Sequence, residues 1–529
     1  MEHSVLLAAA FGAVAAFRVG LVRFATHGLP LIVGADEAFH ANLIRAVRAA
    51  GHRGVTRIPG YGMMKRQVYP WGYHWLLSFV PPSRLAAVGV LFGTATDLLL
   101  LAATIAFLWL VVGMPNTGEL GWLFAAFAGT PLLTRERTGK LTLRERPLGM
   151  LLVGLSFLLL LAHHVTGSWL SFGVAVLLAS LIPVTSKFGN QALFGHAVIA
   201  GFVLGHPSWV GLPLLSFTLA WAWSRGEALE VLCGQARHLR LFWTDIYAGF
   251  ATVRDRYRVR DAFRPASFRT RRRRVGKLLR RHPLTVLLLG LPLLPLVVYE
   301  GLQGSAQSDP LRGACLAWLG ASGLLFVATS IGRLRILGQA ERYFDASIPA
   351  YLILAAGLLG TGFDALGAAL VVLGVSLSVH GFFTQRKTLA ASTAIAQDVR
   401  EAMAWLESRR PRARILTVPI NWANYAVAFS EGEVCDALGV LMEGDPECFR
   451  WLIESYPWPV RDLPKLVREA RIEAVVARRH PRVEEYDWSA FSEVYSNRSC
   501  RVYLPAEQEV RKPTTSEATR SRCSLESSG

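Results

Sequence analysis

The sequence has few charged residues and no C-x-x-C cysteine motif. Asp, Glu, Lys and Arg make up 18% of its 529 residues, against about 25% in soluble globular chains. This shortage excludes a soluble enzyme and a disordered chain. The six cysteines contain no C-x-x-C pair, so neither a disulfide scaffold nor a zinc site is predicted. No internal repeat is present, which leaves an inverted-repeat transporter without support.

Long apolar stretches dominate the chain instead. Hydrophobic residues make up 52% of it and the mean hydropathy is +0.34, as in multi-span membrane proteins. A crossing helix needs about 20 mostly apolar residues. The candidate spans are Val5–Phe24, Leu85–Gly113, Leu120–Leu133, Leu148–Ala162, Trp169–Val184, Ala192–Gly205, Trp209–Trp223, Leu284–Tyr299, Gly313–Ile331, Phe344–Gly360 and Leu366–Phe383. We therefore predict a mainly α-helical polytopic bundle over residues 1–383. Several stretches are short, so one or two are expected to be re-entrant or in-plane.

The formal net charge of +18 is confined to this membrane part. From Gln385 onward the chain holds 21 basic and 21 acidic residues, whereas residues 225–282 alone hold 16 basic and 5 acidic ones. The block lies between apolar spans and contains no recognisable nucleic-acid-binding module. It therefore indicates membrane topology and contact with anionic lipid headgroups, and no nucleic-acid partner is predicted.

If all eleven stretches cross, the loops separate by charge. The basic side holds residues 25–72, 134–147, 185–191, 225–282 and 332–343, together with the tail. Apart from Arg312 at a helix edge, the loops on the other side have no Lys or Arg. The positive-inside rule places the basic side in the cytoplasm.

The first large loop, residues 25–72, carries the strongest candidate site. Asp36 and Glu37 follow the first span, and apolar residues recur with helical spacing from Glu37 to Ala50. His40 is four residues after Asp36 and is therefore expected on the same helix surface. A carboxylate at the membrane surface can accept a proton or help to hold a divalent cation. Alternatively, Asp36 simply caps the helix N-terminus, a role compatible with catalysis.

The loop continues with residues suited to an anionic ligand. Lys65 and Arg66 are placed to hold a phosphate, and the chain returns to the membrane through Tyr69 and His74. His40 and His74 are more typical of hydrogen-bonding or interfacial histidines than of metal ligands. A site for Mg or Mn formed by Asp36, Glu37 and His40 stays open.

Three short motifs resemble the multi-spanning GT-C glycosyltransferases. They are D-E-x-x-H after the first span, Y-P-x-G-x-H-W-L-L-S ending the first loop, and L-G-x-x-E-R-Y over Leu337–Tyr343. The resemblance is narrowest to polyprenyl- and dolichyl-phosphate-mannose mannosyltransferases. It implies a sugar donor linked to a polyprenyl phosphate, with Asp36 as catalytic base or metal-binding acid and Glu37 beside it. It also implies phosphate contacts from Lys65, Arg66 and Arg342, with Tyr343 adjacent.

The resemblance conflicts with two features of the sequence. The further acidic loop motif and the W-W-D-type tail motif of oligosaccharyltransferases are not found. GT-C enzymes also carry the first-loop acid on the outer face, whereas the charge rule places this loop inside. If Leu120–Leu133 did not cross, the 225–282 block would move inside while the Asp36 loop stayed outside.

Other charged residues near the membrane have simpler interpretations. Asp97 lies deep in a span and is expected to face a polar partner in a structural role. Asp345, just inside a late span, is expected to cap its helix or to meet Arg342. Lys187 lies at a span end, where snorkelling explains it.

The tail changes to a helix–strand pattern. Ile395–Ser408 and Leu463–Ala470 are predicted as helices, and Arg414–Val418 and Ile472–Ala477 as strands. Residues 384–505 therefore form a predicted small soluble α/β domain. No glycine-rich phosphate loop or nucleophile elbow occurs in it. Residues 506–529 are polar and are predicted to be disordered.

The favoured function is an integral inner-membrane glycosyltransferase with its site on the outer face and an acceptor in the cell envelope. Its partners would be a lipid-linked sugar donor and membrane lipids. A transporter or lipid flippase, which would use Asp97 at mid-membrane depth, is the alternative. A catalytically inert membrane scaffold is a third interpretation. The sugar, acceptor and oligomeric state are not readable from the sequence.

Overall fold

The computed structural model divides into two units. The first comprises Met1–Ile58, Arg66–Ala394 and Leu441–Pro446, and the second Pro59–Lys65, Ile395–Val440 and Glu447–Gly529. The structure describes residues 2–28, 32, 34–54, 57–64, 68–113, 116–134, 142–246, 282–303, 309–330, 334, 337–358, 360–435 and 446–506. The disorder predicted for 506–529 concerns residues that, from 507 on, lie outside this set, as do residues 247–281 of the basic block.

The first unit is built from helices. They are α1 Glu2–Thr26, α2 Ala35–Ala49, α3 Gly72–Ser78, α4 Pro82–Phe107, α5 Thr117–Ala128, α6 Arg146–Thr166, α7 Trp169–Ala179, α8 Ile182–Thr185, α9 Lys187–Leu204, α10 Pro207–Trp223, α11 Glu227–Leu241, α12 Pro283–Gly290, α13 Leu294–Gln303, α14 Pro310–Ser330, α15 Ile348–Ala356 and α16 Asp364–Arg409, whose residues from Ile395 on belong to the second unit. π-Helical turns extend α4 over Leu108–Val112 and α11 over Phe242–Ile246. Two 3₁₀ segments, Pro131–Thr134 and Ala340–Ser347, follow α5 and precede α15.

Five described helices are long and apolar enough to cross a membrane. They cover Val5–Thr26, Pro82–Val112, Arg146–Thr166, Pro310–Ser330 and Asp364–Arg409. The pair α12 and α13 would add a sixth span, but it bends by 80° at its break. The predicted stretch Phe344–Gly360 is divided between a 3₁₀ segment and the nine-residue α15. The protein is therefore a membrane protein, and the count of eleven crossings stays a prediction.

A buried arginine accounts for the charge inside the first span. Arg18 Nη2 donates to the backbone oxygens of Phe127 at 2.6 Å and Thr130 at 3.3 Å, and its guanidinium lies over the Phe127 ring. Asp97 interacts with it electrostatically. The last carbonyls of a helix have no partners within the helix. Arg18 supplies donors to these carbonyls, so α5 can end among apolar helices. The structural role predicted for Asp97 fits this arrangement.

A polar network inside the bundle holds the 3₁₀ segment Ala340–Ser347. His196 Nε2 lies 2.8 Å from Ser322 Oγ and 3.1 Å from the Tyr343 carbonyl oxygen. Ser322 Oγ in turn donates to Ser347 Oγ at 2.8 Å. Runs of 3₁₀ helix longer than three or four residues are uncommon because their hydrogen bonds are poorer. These buried contacts therefore stabilise an eight-residue run that the backbone alone favours little.

The second unit contains a five-stranded mixed sheet. Its strands are β1 Arg414–Val418, β2 Glu433–Cys435, β5 Ala474–Arg478, β6 Phe491–Ser496 and β7 Cys500–Pro505. Across the sheet the strand order is β2-β1-β5-β7-β6. β3 Ile453–Ser455 and β4 Trp458–Pro459 form a separate pair, and the helices are α17 Ala423–Phe429, α18 Pro446–Leu452 and α19 Leu463–Glu469. β1 pairs in parallel with β2 and β5, and β7 is antiparallel to β5 and β6.

First-loop residues extend the edge of this sheet. Gly62 N donates to Val434 O at 2.9 Å, and Val434 N donates to Gly60 O at 2.8 Å. Between these bonds, the buried Tyr61 donates its hydroxyl to Asn424 Oδ1 at 2.9 Å. The sequence did not indicate this pairing, because the segment is short and has no strand-like alternation.

Candidate active site

Helix α2 presents its two carboxylates at its N-terminus. Gly34 is the N-cap residue and makes no side-chain cap, so Asp36 and Glu37 lie in the first turn. The interpretation of Asp36 as a capping residue is therefore wrong. The partial positive charge at a helix N-terminus nevertheless favours both carboxylates. Asp36 has 68% of its side chain exposed, whereas the Glu37 side chain is 4% exposed.

Arg144 binds both carboxylates from the loop that precedes α6. Its Nη2 lies 3.3 Å from Asp36 Oδ2 and 3.1 Å from Glu37 Oε1, and its Nε donates to the same Glu37 oxygen at 3.2 Å. Arg144 was not predicted from the sequence as a residue of the site. A possible signal was the R-E-R triplet of residues 144–146, directly before the proline that opens an apolar span.

This ion pair keeps Asp36 ionised. Arg144 lowers the pKa of Asp36 below its usual range, and this effect outweighs the opposing desolvation by the surrounding protein atoms. His40, Arg146 and Arg342 also lower the pKa of Asp36. Burial would lower the pKa of Arg144, but Asp36 and Glu37 raise it overall. Near neutral pH the site therefore holds an exposed, charged carboxylate.

A buried pair of histidines lies behind this carboxylate. His40 Nδ1 and His74 Nε2 are 2.8 Å apart, and the rings stack with centroids 5.1 Å apart. His40 Nε2 lies 3.4 Å from Glu145 Oε2. Burial, together with Arg144, lowers the pKa of His40 to about 3, and burial with His40 lowers that of His74. Both rings are therefore neutral near pH 7, and the N–H of one ring donates a hydrogen bond to the unprotonated nitrogen of the other.

Tyr69 and Lys187 complete one wall of the site. Lys187 Nζ lies 4.6 Å from the centre of the Tyr69 ring, and Tyr69 is hydrogen-bonded to Glu145. Burial, with Glu145, raises the pKa of Tyr69, so its hydroxyl stays protonated. Burial lowers the pKa of Lys187 to about 8. The neighbours of the Lys187 ammonium group are therefore the Tyr69 ring and the Glu145 charge, and the snorkelling interpretation of Lys187 stays a prediction.

The residues in and next to the late motif Leu337–Tyr343 differ in their relation to the candidate site. The charge of Arg342 acts on Asp36, and its Nε donates to Gln339 Oε1 at 2.8 Å. Asp345 interacts electrostatically with Arg146 at the start of α6. Tyr343 is buried, packs against Phe188 and donates its hydroxyl to Leu337 O at 3.4 Å, which indicates a structural role.

The structure brings together five residues that the sequence singled out: Asp36, Glu37, His40, Tyr69 and His74. Lys65 and Arg66 lie outside the described residues. Arg144, Glu145 and Arg146 also lie at the site and were not predicted from the sequence, and Lys187 was not predicted as a member of it.

These contacts restrict the membrane topology. Because Asp36 and Arg144 touch, their loops lie on one side, so the chain between them crosses an even number of times. If α4 crosses once, the segment from α5 to Thr134 has to return. With 12 α-helical and 4 3₁₀ residues, it spans about 26 Å at the usual rises per residue, and it is not among the described helices that are long and apolar enough to cross. The crossing of Leu120–Leu133 and the alternative in which it does not cross both stay predictions.

The start of the basic block lies on the same side. Trp71 Nε1, in the first loop, donates to Glu227 Oε2 in α11 at 2.8 Å. The first loop and the start of the basic block therefore lie together, and the side of the membrane on which they lie stays a prediction. Every basic loop described at the site, including those of Arg144, Lys187 and Arg342, belongs to the side that the charge count grouped together.

The residues proposed for a divalent cation do not fit one. Arg144 neutralises Asp36 and Glu37, while His40 uses its ring nitrogens toward His74 and Glu145. Throughout the described residues, no group of three His, Cys, Asp or Glu side chains is arranged to hold a metal ion. We therefore assign no chemistry to a metal.

Comparisons with known proteins agree with this architecture. No protein-family model matches the sequence, and no curated protein matches it. Among solved structures, ArnT from Cupriavidus metallidurans is 14% identical in its apo state, with a TM-score of 0.54 over 94% of this chain and 98% of that one. Its structure bound to undecaprenyl phosphate gives 12% identity and a TM-score of 0.53 over 93% and 97%.

A second protein of this architecture matches nearly as well. The oligosaccharyltransferase AglB from Archaeoglobus fulgidus, in complex with an inhibitory peptide and a dolichol-phosphate, is 12% identical with a TM-score of 0.53 over 89% of this chain and 69% of that one. The chain has the GT-C fold. The resemblance seen in the three short motifs is thereby confirmed at the level of the fold, and the mannosyltransferase subtype stays a prediction.

Proposed function

We propose that this GT-C protein transfers a sugar from a polyprenyl-phosphate-linked donor to an acceptor in the cell envelope, with Asp36 as the general base. The observation that carries the proposal is the exposed, ionised Asp36 carboxylate held by Arg144 next to further cationic side chains. Solved structures of ArnT and AglB, which share the fold, contain undecaprenyl phosphate and a dolichol-phosphate respectively.

The reaction follows from these groups. The acceptor hydroxyl or amide approaches the sugar C1 while Asp36 accepts its proton. The new bond forms at C1 as the bond from C1 to the phosphate oxygen breaks, and the polyprenyl phosphate leaves with the bonding electrons. A leaving phosphate gains negative charge, which nearby cations stabilise.

Three described cations are available for that phosphate. Arg146, Lys187 and Arg342 come from three different parts of the chain, and each has electrostatic or ring contacts within the site. Arginine suits bidentate contact with phosphate oxygens, and lysine acts as a point charge. We propose these three as the donor-phosphate contacts, together with Lys65 and Arg66 from the first loop.

Glu37, His40 and His74 are proposed to support Asp36. Glu37 shares Arg144 with Asp36 and is buried, so it holds the guanidinium in place. The His40–His74 pair connects α2 to α3 and binds Glu145.

The direct test is transfer by purified protein in nanodiscs, using undecaprenyl phosphate carrying labelled mannose or glucose and an envelope extract as acceptor. Release of undecaprenyl phosphate reports the reaction whatever the acceptor is. Asp36→Asn and Glu37→Gln should lower the rate, and Asp364→Asn, which removes a carboxylate that accepts from Gly360 N outside the site, should not. Full activity in both site variants would rule out the assignment.

We propose that the protein lies in the inner membrane with this site on its outer face. Basic residues around a lipid-phosphate site have a functional reason to lie there, and the charge rule weakens for long loops. Labelling of a cysteine placed at Arg53 by a membrane-impermeant maleimide in intact cells tests this. Labelling from the cytoplasmic side alone would contradict the outer-face site.

The transporter or flippase alternative depends on Asp97. Its partner Arg18 is committed to backbone carbonyls of Phe127 and Thr130, which indicates a structural pair rather than a carrier of ions. A cavity of about 420 Å³ is lined by residues that include Glu119, Glu300 and Asp309, and neither Asp36 nor Asp97 lines it. The convergence of charge at Asp36 therefore favours the transferase.

A further inference from the structure

Helix α11 begins directly after a helix end that carries exposed tryptophans. Trp221 and Trp223 near the end of α10 are 51% and 41% exposed. Tryptophans are enriched at the water interface of membranes. Arg225 and Gly226, with φ of 51° and 93°, turn the chain, and α11 starts at Glu227. α11 therefore starts at the depth of a membrane surface.

One face of α11 packs against the first loop. A Cβ atom at Gly234 would lie 2.5 Å from Val68 Cγ2, so the glycine permits close contact between the two segments. Glu227 accepts the hydrogen bond from Trp71 Nε1. The two contacts fix α11 beside residues that flank Tyr69 of the candidate site, on the same side of the membrane.

The opposite face of α11 is apolar and exposed. Leu229 is 45% exposed and Trp243, in the π-helical turn that follows, is 37% exposed. Cys233 and Ala236 are also exposed, and all four lie within about one third of the helix circumference at 3.6 residues per turn. Arg240 lies within this stripe, where its long side chain can reach headgroups.

The length and polarity of α11 exclude a crossing. Its 15 residues span about 22 Å, less than the hydrocarbon core of a bilayer. It carries Glu230, Arg237 and His238 in addition to its terminal residues, and it is not among the described helices apolar enough to cross. A helix with one face on protein, an exposed apolar stripe and basic residues at its end is typical of a helix lying at the membrane interface.

We propose that α11 lies in the plane of the membrane on the side of the candidate site, with its Leu229–Cys233–Ala236–Trp243 stripe in the lipid headgroup and upper acyl region. The occupant of the stripe is phospholipid of that leaflet. The helix itself separates this stripe from Val68 and Trp71, which lie against its other face. The inference goes beyond the transfer reaction and does not depend on it.

Native Cys233 allows a direct test. Of the other described cysteines, Cys315, Cys435 and Cys500 are buried and Cys448 is half-buried. In a protein whose remaining cysteines are replaced by Ala, Cys233 is labelled with the fluorophore NBD in liposomes of phosphatidylethanolamine and phosphatidylglycerol. Quenching by 5-doxyl and 12-doxyl phospholipid is compared with quenching by aqueous iodide. Val372→Cys, 65% exposed on a candidate span, and Arg461→Cys, exposed in the sheet unit, serve as lipid and water references.

The label at Cys233 should be quenched at least twofold more by 5-doxyl than by 12-doxyl lipid and should be protected from iodide relative to Arg461→Cys. Iodide quenching equal to that reference, without doxyl quenching, would overturn the proposal. So would protection from both quenchers combined with energy transfer between labelled copies, which would indicate a protein contact. Trp243→Phe in the otherwise unchanged protein gives an independent measurement, because it should reduce the tryptophan emission quenched by brominated lipid. Since no transfer assay is involved, failure here is distinct from failure of the proposed function.

Discussion

The guanidinium of Arg144 lies 3.3 Å from the carboxylate of Asp36, although the two residues are 108 positions apart. This contact joins the start of α2 to the loop before α6. It also places the two loops on one side of the membrane and keeps Asp36 ionised.

Replacing Arg144 should change how transfer depends on pH. Arg144 lowers the pKa of Asp36, so Arg144→Gln should let that pKa rise and should move the acidic limb of the rate profile to higher pH. Loss of the clamp should also lower the rate by up to about 100-fold through misplacement of the base. The measurement is the initial rate of transfer between pH 4 and pH 8. Arg144→Lys keeps a charge and should shift the limb less. An identical profile in Arg144→Gln would show that Asp36 is not the titrating base.

The neutral histidine pair should make the protein less stable in mild acid. The pKa values of His40 and His74 are lowered in the folded state, so below about pH 6.5 the unfolded chain binds protons that the folded chain does not. Stability should therefore be complete above that pH and should fall as the pH drops, on the order of 1 kcal/mol per pH unit for each ring. Melting temperatures in detergent at pH 7.5, 6.5 and 5.5 measure this. His74→Gln should flatten the dependence. An equally steep decline in that variant would assign the effect to other groups.

Arg18 should be important for stability rather than for transfer. Arg18→Met removes the donors to Phe127 O and Thr130 O and leaves Asp97 without its cation. The expected loss is about 2–4 kcal/mol, because backbone and carboxylate groups become unpaired. Thermal unfolding measures the loss, and the double variant with Asp97→Leu should recover part of it. A melting temperature equal to that of the parent protein would contradict the capping role.

Two glycines of the same long helix should respond differently to alanine. At Gly374 an added Cβ would overlap the Gly129 carbonyl oxygen, whereas at Gly381 no atom lies within 4 Å of an added Cβ. Gly374→Ala should separate α16 from the end of α5 and cost about 1–3 kcal/mol through overpacking. Gly381→Ala should be neutral or slightly stabilising, because alanine favours helix. Equal melting temperatures for the two variants would show that this contact is not close.

The network under the 3₁₀ segment should position Arg342. His196→Ala removes the contacts to Ser322 Oγ and to the Tyr343 carbonyl oxygen, next to Arg342 in sequence. If Arg342 binds donor phosphate, the KM for the lipid-linked donor should rise several-fold with a smaller change in kcat. Ser156→Ala, which loses only a bond to Leu152 O within its own helix, is the control. A parallel fall in stability with an unchanged KM would assign His196 a purely structural role.

The sequence alone predicted much of the local structure. Apolar runs and helical spacing predicted α1, α4 and α6 to within a few residues at most ends, because a crossing helix must be long and apolar over its own length. The strand Arg414–Val418 was predicted with the observed bounds. Short apolar runs were less informative. The break in Leu284–Tyr299 and the 3₁₀ start of Phe344–Gly360 were not predicted within these runs.

Half of the candidate site was also readable, since Asp36, Glu37 and His40 share one helix surface and Tyr69 and His74 follow in the same loop. Their spacing and charge already indicated a carboxylate site at the membrane surface, whereas the lipid-linked substrate was implied only by the resemblance to GT-C enzymes. Arg144, Glu145 and Lys187 were not readable as members of it. In the sequence they are ordinary loop charges, and a loop charge has the same local pattern whether it faces water or a carboxylate far along the chain.

The sequence alone predicts a membrane-embedded helical protein whose first loop contains a helix with acidic residues at its N-terminus. Hydropathy and periodicity depend only on residues close together in the sequence, so both can be read without the tertiary structure. The tertiary structure decided which cation binds Asp36, that Glu145 meets the histidine pair, and that the basic loops meet on one side. Those outcomes depend on contacts between residues about a hundred positions apart in the sequence. The packing of apolar helix faces sets the distances between the charged groups that form such ion pairs.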